Sequence, residues 1–320
     1  MDLFRGSIEL ARIVFLVGAV LALLYKKRYG TTPGGIIVPG VLAGTLFGSF
    51  EAFLLTMASS FLCWLIYKHL IAKLALSNRW TSLVCISISV AVGLILLKIS
   101  DSQVVFDQEV LLTSLVTPGL ITISAKKYGL GKTFSATLLV TAATAAIGLA
   151  LSYVIPYQQL TSMSVQLATY MPLTLTSPLI VLPISLIMSI LAYYRFGIRS
   201  GGYLIAPFLA VALFSSPIQA LLMFTGVACS YLAIKLIQKY TLVIGLERFV
   251  LSLFCGYFIV TLIDYVAIYI GIPGYRPSPL IIIIAIAVLT NDLSLQPLVP
   301  SLRKGVIPNL LVSFITKLAV

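Results

Sequence analysis

The sequence contains few charged residues: 9% of its 320 residues are charged, whereas 60% are apolar. A soluble domain carries about 25% charged residues, so this chain has too few of them to cover a surface that faces water. Many separate apolar stretches lie between clusters of lysine and arginine, and this pattern predicts an all-α polytopic integral membrane protein. The stretches do not alternate in polarity, as the strands of a membrane barrel do.

Residue types that build catalytic and metal sites are scarce as well. The chain has one histidine, nine acidic residues and four cysteines, and the cysteines show no C-x-x-C spacing. That leaves little material for a zinc site, a hydrolase with paired carboxylates or a cysteine protease. We therefore expect no catalytic residues, no metal and no cofactor in this chain. The cysteines are interpreted as reduced, small hydrophobic residues.

The apolar pattern predicts about 12 membrane segments, divided evenly between the two halves of the chain. Four of them, at 33–49, 110–125, 201–216 and 278–291, are shorter than the roughly 20 residues that cross a bilayer as an upright helix. If all segments cross and the N-terminus is outside, most of the 21 basic residues lie on the inner side, as in a multi-pass protein of a bacterial or archaeal cell membrane. A short segment with irregular backbone can cross only inside protein or a wet cavity, so we expect these four at the centre of the bundle.

The two halves of the sequence are related by a constant offset. The tripeptide Arg-Tyr-Gly at 28–30 recurs as Arg-Phe-Gly at 195–197, and the same offset relates Lys68 to Lys235. This predicts a tandem duplication, with a first repeat at 1–156, a linker at 157–176 and a second, diverged repeat at 177–320. Because an even number of crossings returns each repeat to its starting side, the two repeats are expected to be parallel.

Proline and glycine interrupt the short segments. Proline removes a backbone donor and glycine admits positive φ, so we expect the chain to unwind at these points inside the membrane. Broken segments at corresponding places in two repeats mark a binding site or pathway, although small residues also allow close helix packing. An acidic side chain nearby would form an ion pair or bind a coupling proton or cation. The predicted pathway residues are Pro33, Gly34, Gly35, Pro39, Gly40, Pro118, Gly119, Gly201, Gly202, Pro207, Asn291 and Asp292.

Basic residues cluster at the predicted inner ends of the segments. They orient the bundle, and they are also expected to bind acidic lipid headgroups, a cytoplasmic protein or an anionic polymer. Their position at segment ends, rather than along a soluble face, argues against nucleic acid as a partner. The predicted partner-binding and polymer-binding residues are Lys26, Lys27, Arg28, Lys126, Lys127, Lys132, Arg195 and Arg199.

Two stretches of the first half carry a family resemblance. One is Tyr-Gly at 29–30 followed by Pro-Gly-Gly-Ile-Ile-Val-Pro-Gly at 33–40, and the other is Val-Thr-Pro-Gly-Leu-Ile at 116–121, continuing through 133–139. In order and spacing they resemble the membrane subunit of poly-γ-glutamate synthases, the capsule-biosynthesis CapC/PgsC family, over roughly residues 8–155. The second half keeps Gly201-Gly202 but not the Pro118-Gly119 pair.

The resemblance implies a non-catalytic subunit of a polymer synthesis and export complex. In this family a separate cytoplasmic ATP-dependent amide ligase joins glutamates, and the membrane subunit works with it and with other membrane-anchored subunits to make and export an anionic polypeptide. ATP would then be bound by the ligase, and a homo-oligomer is a further expectation. Two alternatives stay open from the residues alone: a stand-alone secondary transporter of a small anionic solute, and a structural scaffold for another envelope enzyme.

Overall fold

In a computed structural model, the structure describes residues 8–74, 76–99, 108–154, 217–271 and 280–295, and every regular element in these ranges is helical. Four helices are long and apolar enough to cross a membrane by length and composition: Phe50–Leu74, Leu130–Tyr153, Leu221–Tyr240 and Leu246–Ile270. The prediction of an all-α chain with membrane-type helices is confirmed at this level. The number of crossings stays a prediction.

The chain divides into two compact units, residues 1–165 and 166–320. The predicted linker at 157–176 lies outside the described residues. Unit 1 contains α1 (Ile8–Tyr29), α2 (Val38–Gly48), α3 (Phe50–His69), a short 3₁₀ helix (Ile71–Leu74), α4 (Asn78–Ile99), α5 (Gln108–Tyr128) and α6 (Leu130–Val154). In the described part of unit 2 lie α7 (Pro217–Tyr240), α8 (Leu246–Ile270) and α9 (Leu280–Leu295).

Local signals set the ends of several helices. The α1 helix ends at Gly30, whose φ of 71° suits glycine and whose amide donates to the carbonyl of Lys26 at 2.8 Å. Ser49 begins α3 because its hydroxyl accepts a hydrogen bond from the amide of Ala52 at 3.3 Å. Basic residues in the last turns of α1, α3 and α5 interact favourably with the negative ends of these helix dipoles.

The short α2 helix runs antiparallel to α1. A Cβ on Gly18 of α1 would lie 2.5 Å from the Cα of Gly40, and a Cβ on Gly40 would lie 2.7 Å from the carbonyl oxygen of Phe15. Further along, Leu10 and Val14 share a buried cluster with Ala43. The two backbones therefore approach closely through glycine, as helices do in membranes.

The α2 and α5 helices form the centre of unit 1. The α2 helix packs against α1, α3, α5 and α6, and α5 packs against α2, α3, α4 and α6. Val38, Leu42 and Ile121 make a buried cluster where the two meet. The predicted short segment at 33–49 contains the 11-residue α2, whereas the one at 110–125 lies within a helix of 21 residues, α5.

The prediction that the chain unwinds at Pro39-Gly40 and at Pro118-Gly119 is wrong. Pro39 lies in the first turn of α2, where its missing N–H costs no intrahelical hydrogen bond, and Gly40 is helical. Pro118 lies inside α5, which continues from Gln108 to Tyr128. Of the predicted Pro/Gly pathway residues in the described ranges, only the run at 33–35 lies in a non-helical segment.

Unit 2 shows a three-helix arrangement in its described part. The α7, α8 and α9 helices all pack against one another, and residues 282–287 of α9 are buried. The predicted short segment at 278–291 overlaps α9, which is continuous from Leu280 to Leu295. Near its end, Asn291 accepts a hydrogen bond from Nε of the buried Arg248 at 3.1 Å.

Candidate functional site

The segment at 30–37 interrupts the helices of unit 1 and re-enters the bundle beside α1. The segment follows the end of α1 at Tyr29, and Gly40, soon after it, packs beside Gly18 of α1. Between these two points the chain returns along α1 by about 11 helical residues, or roughly 16 Å. We call residues 30–37 the broken segment. Gly34 and Gly35 have φ values of 71° and 126°, which only glycine adopts without strain, and the Gly34 amide donates to the carbonyl of Thr32 at 2.9 Å.

The broken segment is packed between α5 and α6. A Cβ on Gly34 would lie 2.9 Å from Ile121 of α5 and 3.3 Å from Oγ1 of Thr137 of α6. One step nearer the end of α1, the hydroxyl of Thr32 lies 3.4 Å from that of Ser124 on α5. Gly34 is therefore required both for its positive φ and for its close approach to two helices.

Consecutive amides at the end of the broken segment lack backbone partners. Among the described residues, the N–H groups of residues 35–38 donate to no backbone carbonyl. They precede the first turn of α2, where the helix dipole is positive. Such a run of free donors is suited to negative charge.

Four threonines form one buried face of α6: Thr133, Thr137, Thr141 and Thr144, each at most 1% exposed. We call them the threonine face. The hydroxyls of Thr137 and Thr144 donate to carbonyls of their own helix, at 2.7 Å each. Those of Thr133 and Thr141 have no hydrogen-bond partner among the described residues.

A serine from α4 repairs the backbone around Pro118. The Ser89 hydroxyl donates to the carbonyl of Leu115 and accepts from the amide of Gly119 at 2.9 Å. In a regular helix that carbonyl and that amide bond to each other. The Ser89 side chain of α4 thus replaces the direct hydrogen bond between Leu115 and Gly119, which explains why proline is tolerated here.

The predicted basic residues of unit 1 come together at one end. Thr32, four residues after Arg28, contacts Ser124, two residues before Lys126. Lys126 in turn donates to Thr81, near the start of α4, at 3.3 Å. We call this the basic end, and its cationic residues are Lys26, Lys27, Arg28, Lys68, Lys73, Lys126, Lys127 and Lys132.

Acidic residues of the described helices of unit 1 occupy the opposite end. Glu9, Glu51 and Glu109 lie in the first turns of α1, α3 and α5, and each of these helices ends at the basic end. Unit 1 therefore has a strong charge asymmetry along its helices. The mouth of the broken segment, at Thr31 and Thr32, lies on the positive side.

The remaining predicted site residues belong to the second half of the sequence. Asn291 and Asp292 lie in the last turns of α9 in unit 2, where Asp292 is half-buried. Arg195, Arg199, Gly201, Gly202 and Pro207 lie outside the described residues.

Comparison with known proteins decides the family. The family model described as capsule biosynthesis CapC matches residues 17–134 and matches again at residues 184–302. The chain belongs to the capsule biosynthesis CapC family. It is 31% identical over 136 residues to a Bacillus subtilis (strain 168) protein named PGA biosynthesis protein CapC, covering 91% of that protein and 42% of this chain. No solved structure matches. The resemblance carried by the motifs of the first half is thus confirmed.

Reasoning from the sequence missed Ser89 and the threonine face. The recurrence of threonine at 133, 137, 141 and 144 follows the three-and-four spacing of one helix face and could have identified the face as polar. Nothing local marks Ser89, because its partners lie on another helix.

Proposed function

We propose that this chain is a non-catalytic membrane subunit of a capsule or poly-γ-glutamate-type polymer synthesis complex. It would dock a cytoplasmic ATP-dependent amide ligase at the basic end of unit 1 and help pass the anionic polymer across the membrane. The observation that carries this proposal is the position of the broken segment: it leads from the cationic end of unit 1 into the centre of a CapC-family bundle.

A tandem duplication fits both the comparisons and the helices. The two matches to the family model begin at residues 17 and 184, and this spacing equals the one between Lys68 and Lys235. In the structure, the same spacing separates the start of α3 from the start of α7, and the end of α5 from the end of α9. The α7, α8 and α9 helices pack pairwise as α3, α4 and α5 do. These agreements support one family unit in each half, the relative from Bacillus subtilis being about half as long as this chain.

The halves differ at the repaired proline, and the difference suggests separate roles. At the offset that relates the two halves, Gly256 replaces Ser89, while Ala285 and Ile286 replace Pro118 and Gly119. A Cβ on Gly256 of α8 would lie 3.3 Å from the side chain of Ile286 of α9. In unit 2 the isoleucine therefore occupies the space that the serine side chain occupies in unit 1. Because the bridging serine and the proline are lost together, we infer that unit 2 has become a rigid support and that unit 1 keeps the pathway.

A stand-alone secondary transporter of a small anion is the second candidate. The charge asymmetry and the broken segment of unit 1 suit a solute as well as a polymer. Uptake of solute by liposomes that contain only this chain would favour it.

Neutralising the exposed cations of the α5–α6 turn tests the docking role. Lys126, Lys127 and Lys132 are exposed, and replacing all three with glutamine is expected to reduce polymer output at least several-fold in cells that depend on this chain, with unchanged membrane insertion. The matched control replaces the exposed Lys235 and Lys239 of α7 with glutamine and should leave output near that of the parent. Equal output from all three strains would contradict the proposed role of the basic end.

A further inference from the structure

The threonine face of α6 lines the broken segment and the start of α2. Two contacts bracket this face: Thr137 lies beside Gly34, and a Cβ on Gly148 would lie 2.8 Å from Val14 of α1 and 3.1 Å from the ring of Phe47 in α2. Residues 137, 141, 144 and 148 fall on one side of a helix. Thr141 therefore lies between these two contacts, on the side of α6 that packs against α1 and α2.

Two hydroxyls of the threonine face have no hydrogen-bond partner among the described residues, as is also the case for Ser230, Thr261 and Thr290 in unit 2. Threonine in an apolar helix normally donates to the carbonyl four residues earlier, and Thr137 and Thr144 do so. Thr133 and Thr141 do not, although they are 0% and 1% exposed. Leaving a buried hydroxyl unsatisfied costs stability, so these two groups call for a partner that is not part of the described chain.

The other groups around the threonine face indicate an anion as that partner. The amides of residues 35–38 have no backbone acceptor in the described ranges, and they lie at the positive end of the α2 dipole. The mouth of the segment lies at the basic end, and the described acidic positions of unit 1 lie at the opposite end. A cation would be repelled on this route, whereas a carboxylate would be attracted and would accept hydrogen bonds from both amides and hydroxyls.

We propose that the broken segment and the threonine face form a binding track for successive carboxylates of an acidic, peptide-like chain. Thr133 and Thr141 are eight helical residues apart, or about 12 Å, so they serve different carboxylates of one extended chain. This inference rests on the proposed function, because it names the groups that would hold the polymer. Because both hydroxyls are buried, the broken segment has to move when the polymer enters.

Isosteric valine substitutions test the track. The full chain is placed in lipid nanodiscs and titrated with a fluorescent decamer of γ-linked glutamate. Thr133→Val and Thr141→Val each remove a hydrogen bond to a charged group and should weaken binding about tenfold. Because each also removes an unsatisfied buried hydroxyl, the melting temperature should stay equal or rise. The matched control is Thr56→Val in α3, outside the track, whose buried hydroxyl is already bonded to the carbonyl of Ala52, and the affinity of this variant should stay within about twofold of the parent.

The outcomes separate the track from the proposed function. Unchanged decamer affinity in Thr133→Val and Thr141→Val, or no binding of decamer by the parent chain, overturns the track. If polymer production in cells still requires the chain in that case, the proposed function survives. If the threonine variants weaken binding of free glutamate as well, and the parent binds glutamate as tightly as the decamer and imports it into liposomes, the carboxylate site stands and the polymer role fails.

Discussion

Ser89 should matter to stability only because of Pro118. Replacing Ser89 with alanine leaves the carbonyl of Leu115 and the amide of Gly119 without their shared partner in a buried position. Each buried group left unsatisfied costs about 1–3 kcal/mol, so we expect a loss of about 2–4 kcal/mol when part of the direct bond re-forms. In a Pro118→Ala background the helix ladder can close without help, and Ser89→Ala should cost less than about 1 kcal/mol.

A double-mutant cycle measures this coupling directly. Equilibrium unfolding of the full chain in mixed micelles, followed by helical circular dichroism, gives the four free energies of unfolding. Ser60→Ala is the matched control: its buried hydroxyl bonds only the carbonyl of Thr56 within α3, so its loss should cost less than about 1 kcal/mol in both backgrounds. Equal costs of Ser89→Ala with and without Pro118 would refute the account of how α5 accommodates proline.

Further predictions concern the glycines and the polar bridge of unit 2. Gly40→Ala should destabilise unit 1, because its Cβ would lie 2.7 Å from the carbonyl oxygen of Phe15, whereas Gly44→Ala in the same helix meets nothing within 4 Å and should gain up to about 1 kcal/mol in the same unfolding assay. Gly34→Ala should cost at least about 1–2 kcal/mol through its positive φ and reduce polymer output; wild-type output and stability would contradict the assigned backbone role. Arg248→Lys, which cannot reproduce the Nε donor to Asn291, should lower thermal stability more than Lys239→Arg at an exposed site, and equal melting curves would contradict this.

Sequence reasoning succeeded where the determinants are local. The run at 33–35 contains a proline and two adjacent glycines, and the backbone there is non-helical, as predicted. The charge clusters at segment ends predicted a common basic end, and in unit 1 contacts such as Thr32 with Ser124 bring them together.

Sequence reasoning failed where a contact with a neighbouring helix accommodates a proline or a glycine. The Pro39-Gly40 step looks like a second break, but proline fits a first helical turn and Gly40 makes room for α1. Pro118 looks like a third, but a hydroxyl on α4 restores the lost pairing. The role of Ser89 and the packing of Ile286 against Gly256 can be recognised only when it is known which helices pack against each other.

The central claim is that the chain works as a subunit of a polymer-synthesis complex. The most direct test is to purify it from native membranes in mild detergent and to identify the co-purifying proteins by mass spectrometry. The account predicts recovery of an ATP-dependent amide ligase in stoichiometric amount, and loss of that ligase when Lys126, Lys127 and Lys132 are replaced with glutamine. Recovery of the chain alone, from membranes that make no polymer, would contradict it.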